Sequence, residues 1–167
     1  MSLQIILPEK LASKLKELNV DPEAYVIDTI IKELKLDPQS ILEIHAELAE
    51  RFLEEGKQLI DKDPVQTSEK LYKAAEECIK ALAIHFKFED ILVKVRERGR
   101  WTVTELEKST SRISDKLGKW FYDAWAQANY LHVWGFHEAK LDIEDVKKRL
   151  VDIDRMIMET RKTLRKA

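Results

Sequence analysis

Cysteine occurs once, at Cys78. That excludes an intrachain disulfide and any zinc site built from several cysteines. Glycine and proline number only four each, which speaks for a packed helical chain and against a disordered one. No apolar run approaches the roughly 18 residues that a membrane-spanning helix requires, and no signal-sequence pattern stands at the N-terminus. The expectation is a soluble, cytoplasmic chain with no membrane partner. Asparagine is confined to positions 19 and 129 while Lys and Glu abound, a habit of hyperthermophile proteins. A large excess of positive charge is missing too. The net charge of -2 argues against a generally basic nucleic-acid binder, although residues 147–167 carry eight Lys or Arg against three acids and residues 86–119 nine against six.

What is present is charge and apolar surface in helical rhythm. The 167 residues are 36% charged and 44% hydrophobic, enough for one ordinary domain with an appendage. The few prolines punctuate the chain. Asp21-Pro22, Asp37-Pro38 and Asp63-Pro64 each supply an N-cap followed by a residue whose missing N–H costs nothing at a helix start. They predict helices over 22–36, 38–61 and 64–86, and Pro8 introduces another over 9–18. Thr102 and Glu105 form a capping-box pair, Gly118 ends the helix they start, and Asp142 with Asp145 caps the last helix. Before Pro8, the run Leu3, Gln4, Ile5, Ile6, Leu7 alternates as a short strand does. The chain thus divides into a strand-helix-helix extension, residues 1–36, and an antiparallel helical bundle of five helices, residues 38–167.

Lys119 to Leu141 holds three of the four tryptophans and is apolar on nearly every side. A helix apolar all round is a buried one, so this stretch is expected to be one continuous helix at the bundle's centre. Its polar members, Asn129, His132, His137 and Glu138, need partners if buried. Asn129 and His132 share a face with Trp125 and Phe136, an arrangement suited to a planar base: aromatic walls for stacking, an amide and an imidazole for edge hydrogen bonds. His132 and His137 are about 500° apart on an α-helix, pointing in different directions, and with Glu138 they fall short of a ligand set. No metal or cofactor is assigned. Trp101, preceded by Arg96, Arg98 and Arg100, is a second candidate contact, because arginine beside an exposed aromatic suits single-stranded nucleic acid. The candidate ligand-binding residues are therefore Trp101, Trp125, Asn129, His132, His137 and Glu138.

Two resemblances bear on function. The strand, the Leu7-Pro8 entry and the Asn19-Val20-Asp21 turn resemble a ribbon-helix-helix motif. This would imply a homodimer whose paired strands contact DNA, yet Gln4 and its neighbours carry no cation to neutralise phosphates. The words SEKLYKAAEECIKALA at 68–83, GRWT at 99–102 and LHVWGFHEAKL at 131–141 resemble the archaeal PaREP family. That family is similar to the HEPN superfamily of helical bundles that often dimerise, many of which are metal-independent ribonucleases that use an Arg and a His with four to six residues between them. Here the positions that would hold Arg carry His132, Leu131 and Tyr130 ahead of His137, and Gln127, Ala126 and Trp125 ahead of His132. Lys80 and His85 have the spacing, but Lys lacks the guanidinium fork. No catalytic residue is assigned. The resemblance implies a non-catalytic binding or interaction module, related to toxin-antitoxin or defence systems, with a nucleotide, RNA or protein partner. A ribonuclease with a departed motif and a DNA-binding regulator are the alternatives.

Overall fold

The three Asp-Pro starts form as their chemistry dictates. Asp21, Asp37 and Asp63 accept hydrogen bonds from the backbone N–H groups of Ala24, Ser40 and Gln66 at 2.8–2.9 Å, and each proline opens its helix. The computed structural model describes residues 2–166. The helices are α1 (Glu9–Glu17), α2 (Pro22–Leu34), α3 (Pro38–Leu59), α4 (Pro64–His85), α5 (Glu89–Arg98), α6 (Val103–Leu117), α7 (Lys119–Tyr130) and α8 (Ile143–Arg165), with a π-helical segment, Leu131–His137, continuing α7. Both capping boxes, Thr102 with Glu105 and Asp142 with Asp145, are formed.

Three expectations are overturned. Residues 2–8 form no strand, and there is none among the described residues; a lone strand has nothing to exchange its hydrogen bonds with. Residues 89–98 form α5, a further helix beyond the five expected in 38–167; it has no side-chain cap at Phe88 and buries only Ile91 and Leu92, so neither a capping signal nor an apolar stripe marks it. The third concerns the centre. The stretch 119–141 is not one continuous buried helix: α7 gives way to the π segment after Tyr130, and Tyr122, Tyr130, Val133 and Trp134 are 42–45% exposed. Arginines of α8 cover part of that aromatic face, Arg155 lying 4.1 Å from the Trp120 ring centre and Arg149 4.3 Å from that of Tyr130.

The buried centre is α4. It packs against α3, α5, α6, α7, the π segment and α8, and buries both charged and apolar positions. Ala74, Ala75, Ala81 and Ala83, each fully buried, let neighbours approach closely, while Leu71, Ile79 and Leu82 fill the core. Two of its other interior residues, Glu77 and Lys80, are charged. Lys80, 3% exposed, donates to Glu77 at 2.9 Å and lies 3.5 Å from Glu76. His45 of α3, also 3% exposed, places Nδ1 2.5 Å from the other Glu77 oxygen. Burial alone would push the Glu77 carboxyl up, but Lys80 and His45 outweigh it and hold it at about 2. Burial works against the Lys80 ammonium as well, and Glu77, Glu76 and Asp28 raise it above the ordinary lysine value.

Leu15 of α1 is buried, whereas α2 buries no residue fully and docks through its edges. Asp21 pairs with Lys73 at 2.6 Å, Glu23 pairs with Arg51, and Ile27 packs on the core.

Replacing Lys80 by Met leaves Glu77 buried without its ammonium and is expected to cost about 3–5 kcal/mol in urea unfolding. Because the folded Glu77 value of about 2 lies below its ordinary value near 4.5, its contribution is present above pH ~4.5 and fades as pH falls toward ~2. Acid unfolding of Glu77→Gln should therefore be flatter across that interval than that of the wild type.

Candidate functional site

The π segment determines the histidine geometry. A π-helix bonds residue i to i+5, so two residues five apart come onto the same face, where an α-helix would separate them. His132 and His137 consequently converge, with their Nε2 atoms 3.1 Å apart and their rings nearly perpendicular at 79°. The expected divergence of the two histidines is corrected by this change of helix type. Gly135 permits it: a Cβ there would stand 2.5 Å from Ser68 Cβ, and only glycine lets the segment seat on α4.

Around the pair, α4 supplies what the apolar pattern of 119–141 did not disclose. Glu69 accepts a hydrogen bond from His132 Nδ1 at 2.8 Å. The Tyr72 ring stacks on His132 at 4.0 Å and on Trp125 at 5.6 Å, and Phe136 flanks His132 at 6.2 Å. Burial first, then the nearby carboxylates of Glu76, Glu69 and Glu107, keep the Tyr72 hydroxyl protonated far above its usual range. Trp125, 2% exposed, donates from Nε1 to Glu107 at 2.6 Å, and Asn129 donates to the Trp125 carbonyl at 3.0 Å. Trp125, Asn129, His132 and His137 are thus neighbours, and Tyr72 occupies the stacking face between Trp125 and His132. Glu138 is exposed at the C-cap of the π segment. A small pocket of about 160 Å³ opens beside His132, between Glu69, Tyr72 and Lys73 of α4 and Asp21 and Asp28 of α2. Burial raises the Asp28 carboxyl, with Glu77 adding and Lys80 and His45 opposing.

Trp101 lies elsewhere. It sits with His85 at the far end of α4, about 24 Å along the helix from Glu69 at 1.5 Å per residue. There a groove of about 1110 Å³ runs between α2, the start of α3, the end of α4 and α5. Its walls are Ile31, Ile41, Ile84, Leu92, Val95 and Trp101. Lys32, Lys35, Lys87 and Arg100 also line it, together with Asp28, Asp37 and Glu89, and among the described residues none of these four cations has a carboxylate within ion-pair distance. The two remaining arginines of the sequence cluster are engaged: Arg96 pairs with Glu89 at 3.0 Å and Arg98 with Glu105 at 2.8 Å. Of the Lys80–His85 spacing only His85 reaches the groove, since Lys80 is sealed against Glu77. The lysines of α2 escaped sequence reasoning because nothing in the 1–36 pattern placed that helix beside Trp101.

Residues 44–157 match the model of the archaeal PaREP1/PaREP8 family. The crystal structure of a Sulfolobus solfataricus structural-genomics target is 36% identical, with a TM-score of 0.65 over 70% of this chain and 96% of that one. A solution structure of the same target, described as the Orf c02003 protein, is 35% identical with a TM-score of 0.63, over 71% and 92%. No curated protein matches. The family span takes in the whole histidine cluster and the α4–α5 side of the groove, while the α2 side precedes it.

Gly135→Ala is expected to destabilise the fold by about 1–3 kcal/mol in urea unfolding, as overpacking against Ser68 does. A Ser68→Gly change in the same chain should recover part of that loss, whereas a loss arising from backbone preference alone would persist.

Proposed function

Because the chain belongs to the archaeal PaREP1/PaREP8 family, we propose that it acts as a homodimeric, HEPN-like binding module that holds single-stranded RNA in the groove between α2, α4 and α5. The observation that carries this reading is the conjunction of the Trp101 wall with Lys32, Lys35, Lys87 and Arg100. Bases stack on aromatic and aliphatic faces, and unpaired cations neutralise the phosphates between them. His85, on the same lining, offers an edge donor or acceptor. A binding role is favoured over ribonuclease action because general acid–base cleavage of a phosphodiester draws on more than one positioned group, and Lys80 is committed to the buried network.

Dimerisation rests on the N-terminal arm. Leu3, Ile6, Leu18 and Leu34 are 63–88% exposed, joined by Ile5 and Leu11, and they form a concentration of apolar surface ahead of the family bundle. Such surface favours cover, and a second copy brings the same complement of residues in a two-fold arrangement.

Fluorescence anisotropy with a labelled uridine oligonucleotide tests the groove. Binding should fall steeply with salt, Trp101→Leu should weaken it by about tenfold or more, and Lys32→Glu with Arg100→Glu should abolish it. Binding that is absent at low salt, or indifferent to these changes, would remove the proposal. In sedimentation equilibrium, the wild type is expected at twice the mass of one chain and the Ile6→Asp, Leu18→Asp variant at one; a wild-type monomer would contradict the dimer.

A further inference from the structure

We infer that His132 and His137 form a binding site for one divalent transition-metal ion, with Glu69 orienting the first ligand. Their Nε2 atoms stand 3.1 Å apart, and two imidazole nitrogens at ~2.0–2.1 Å from a tetrahedral zinc ion lie about 3.3 Å apart. A movement of a few tenths of an ångström opens the pair around an ion. The His132 tautomer suits that role. Its Nδ1–H donates to Glu69 at 2.8 Å, which leaves a lone pair on Nε2 facing His137; a carboxylate behind a ligating histidine is the usual outer partner of a metal site. Without an ion, His137 Nε2–H donates to that lone pair. When the ion enters, the His137 proton moves to Nδ1 and both Nε2 lone pairs become ligands, so two neutral imidazoles bind with no net change in protons.

The support around the pair is rigid. His132 is held between Tyr72 at 4.0 Å and Phe136 at 6.2 Å, and the backbone is pressed onto Ser68 at Gly135. His137 is exposed, so an ion can arrive from solvent. Long π-helical stretches are rare and frequently mark functional positions, and here the unusual backbone has one evident result, the meeting of two imidazoles. Among the described residues no third His, Cys, Asp or Glu joins them. The ion therefore keeps open positions for water or for a donor atom of a bound ligand, which suits imidazole-favouring ions such as Zn²⁺, Ni²⁺ and Cu²⁺.

The test uses tag-free protein stripped with EDTA and titrated with Zn²⁺ by calorimetry, with Cu²⁺ electron paramagnetic resonance as a second readout. One equivalent per chain is expected, with two-nitrogen hyperfine structure in the Cu²⁺ spectrum. His137→Ala, at an exposed position that folding tolerates, should weaken binding at least tenfold and remove one nitrogen from the spectrum. Glu69→Gln should weaken it by about 10–100-fold while leaving both nitrogens in place. Absence of a Zn²⁺ heat in the wild type, or undiminished binding in His137→Ala, would show a hydrogen-bonded histidine pair only and overturn the inference. RNA binding in the distant groove is unaffected by His137→Ala, so failure of one reading leaves the other standing.

Discussion

Glu77, Lys80 and His45 form a buried ionic knot, and the position of α4 depends on it. A lysine 3% exposed is tolerable only beside a carboxylate, and a carboxylate buried with it needs every oxygen engaged. Lys80 holds one Glu77 oxygen and His45 the other. The helix is thereby fixed in rotation as well as in depth, because turning α4 would strand one charge in the core. Its alanines alone would not set that rotation, since small apolar residues pack tolerably in several registers. Asp28 feels the same charges from α2, so the N-terminal hairpin is electrostatically aware of the knot even though no α2 side chain is fully buried.

From this rotation both candidate regions follow. Three residues apart on α4, Glu69 and Tyr72 point toward the π segment and receive His132; at the other end, His85 turns toward α2 and α5 and contributes to the groove. The groove exists because α2 leans on α3 and α4 by its edges and leaves its lysines free. It lies at the seam between the family bundle and the segment ahead of it, so its chemistry draws on residues from both.

Local chemistry was legible in the sequence and global burial was not. Asp-Pro starts and capping boxes act within four residues, and the positions of α2, α3, α4, α6 and α8 could be read from them to within a few residues at their ends. Burial depends on what arrives from elsewhere. Trp134 and Tyr130 look like core letters but remain partly exposed, with Arg149 over Tyr130, whereas Lys80 and Glu77 look like surface letters and are interior. Hydrophobic periodicity ranks residues by transfer cost and cannot register that two opposite charges cancel each other's cost. The π segment was illegible for a related reason: its only sequence mark is Gly135, and the need for glycine arises from Ser68, 67 positions earlier. The structure sets His132 beside Trp125 and Asn129, but with an internal geometry that an α-helix would not give, and Trp101 belongs to a different surface.

The π segment also has a consequence for how this chain can change over time. A π turn is in effect an α turn holding a surplus residue. Deleting a single residue between His132 and His137 would let the strip rewind to α-helix with the two histidines four apart, about 40° from each other around the axis and so still on one face, with α7 and α8 still anchored by their own packing. The facing of His132 and His137 is thus the register of an ordinary helix carried across one inserted residue, which the loss of a codon would preserve and an α-helical strip of the present length would break.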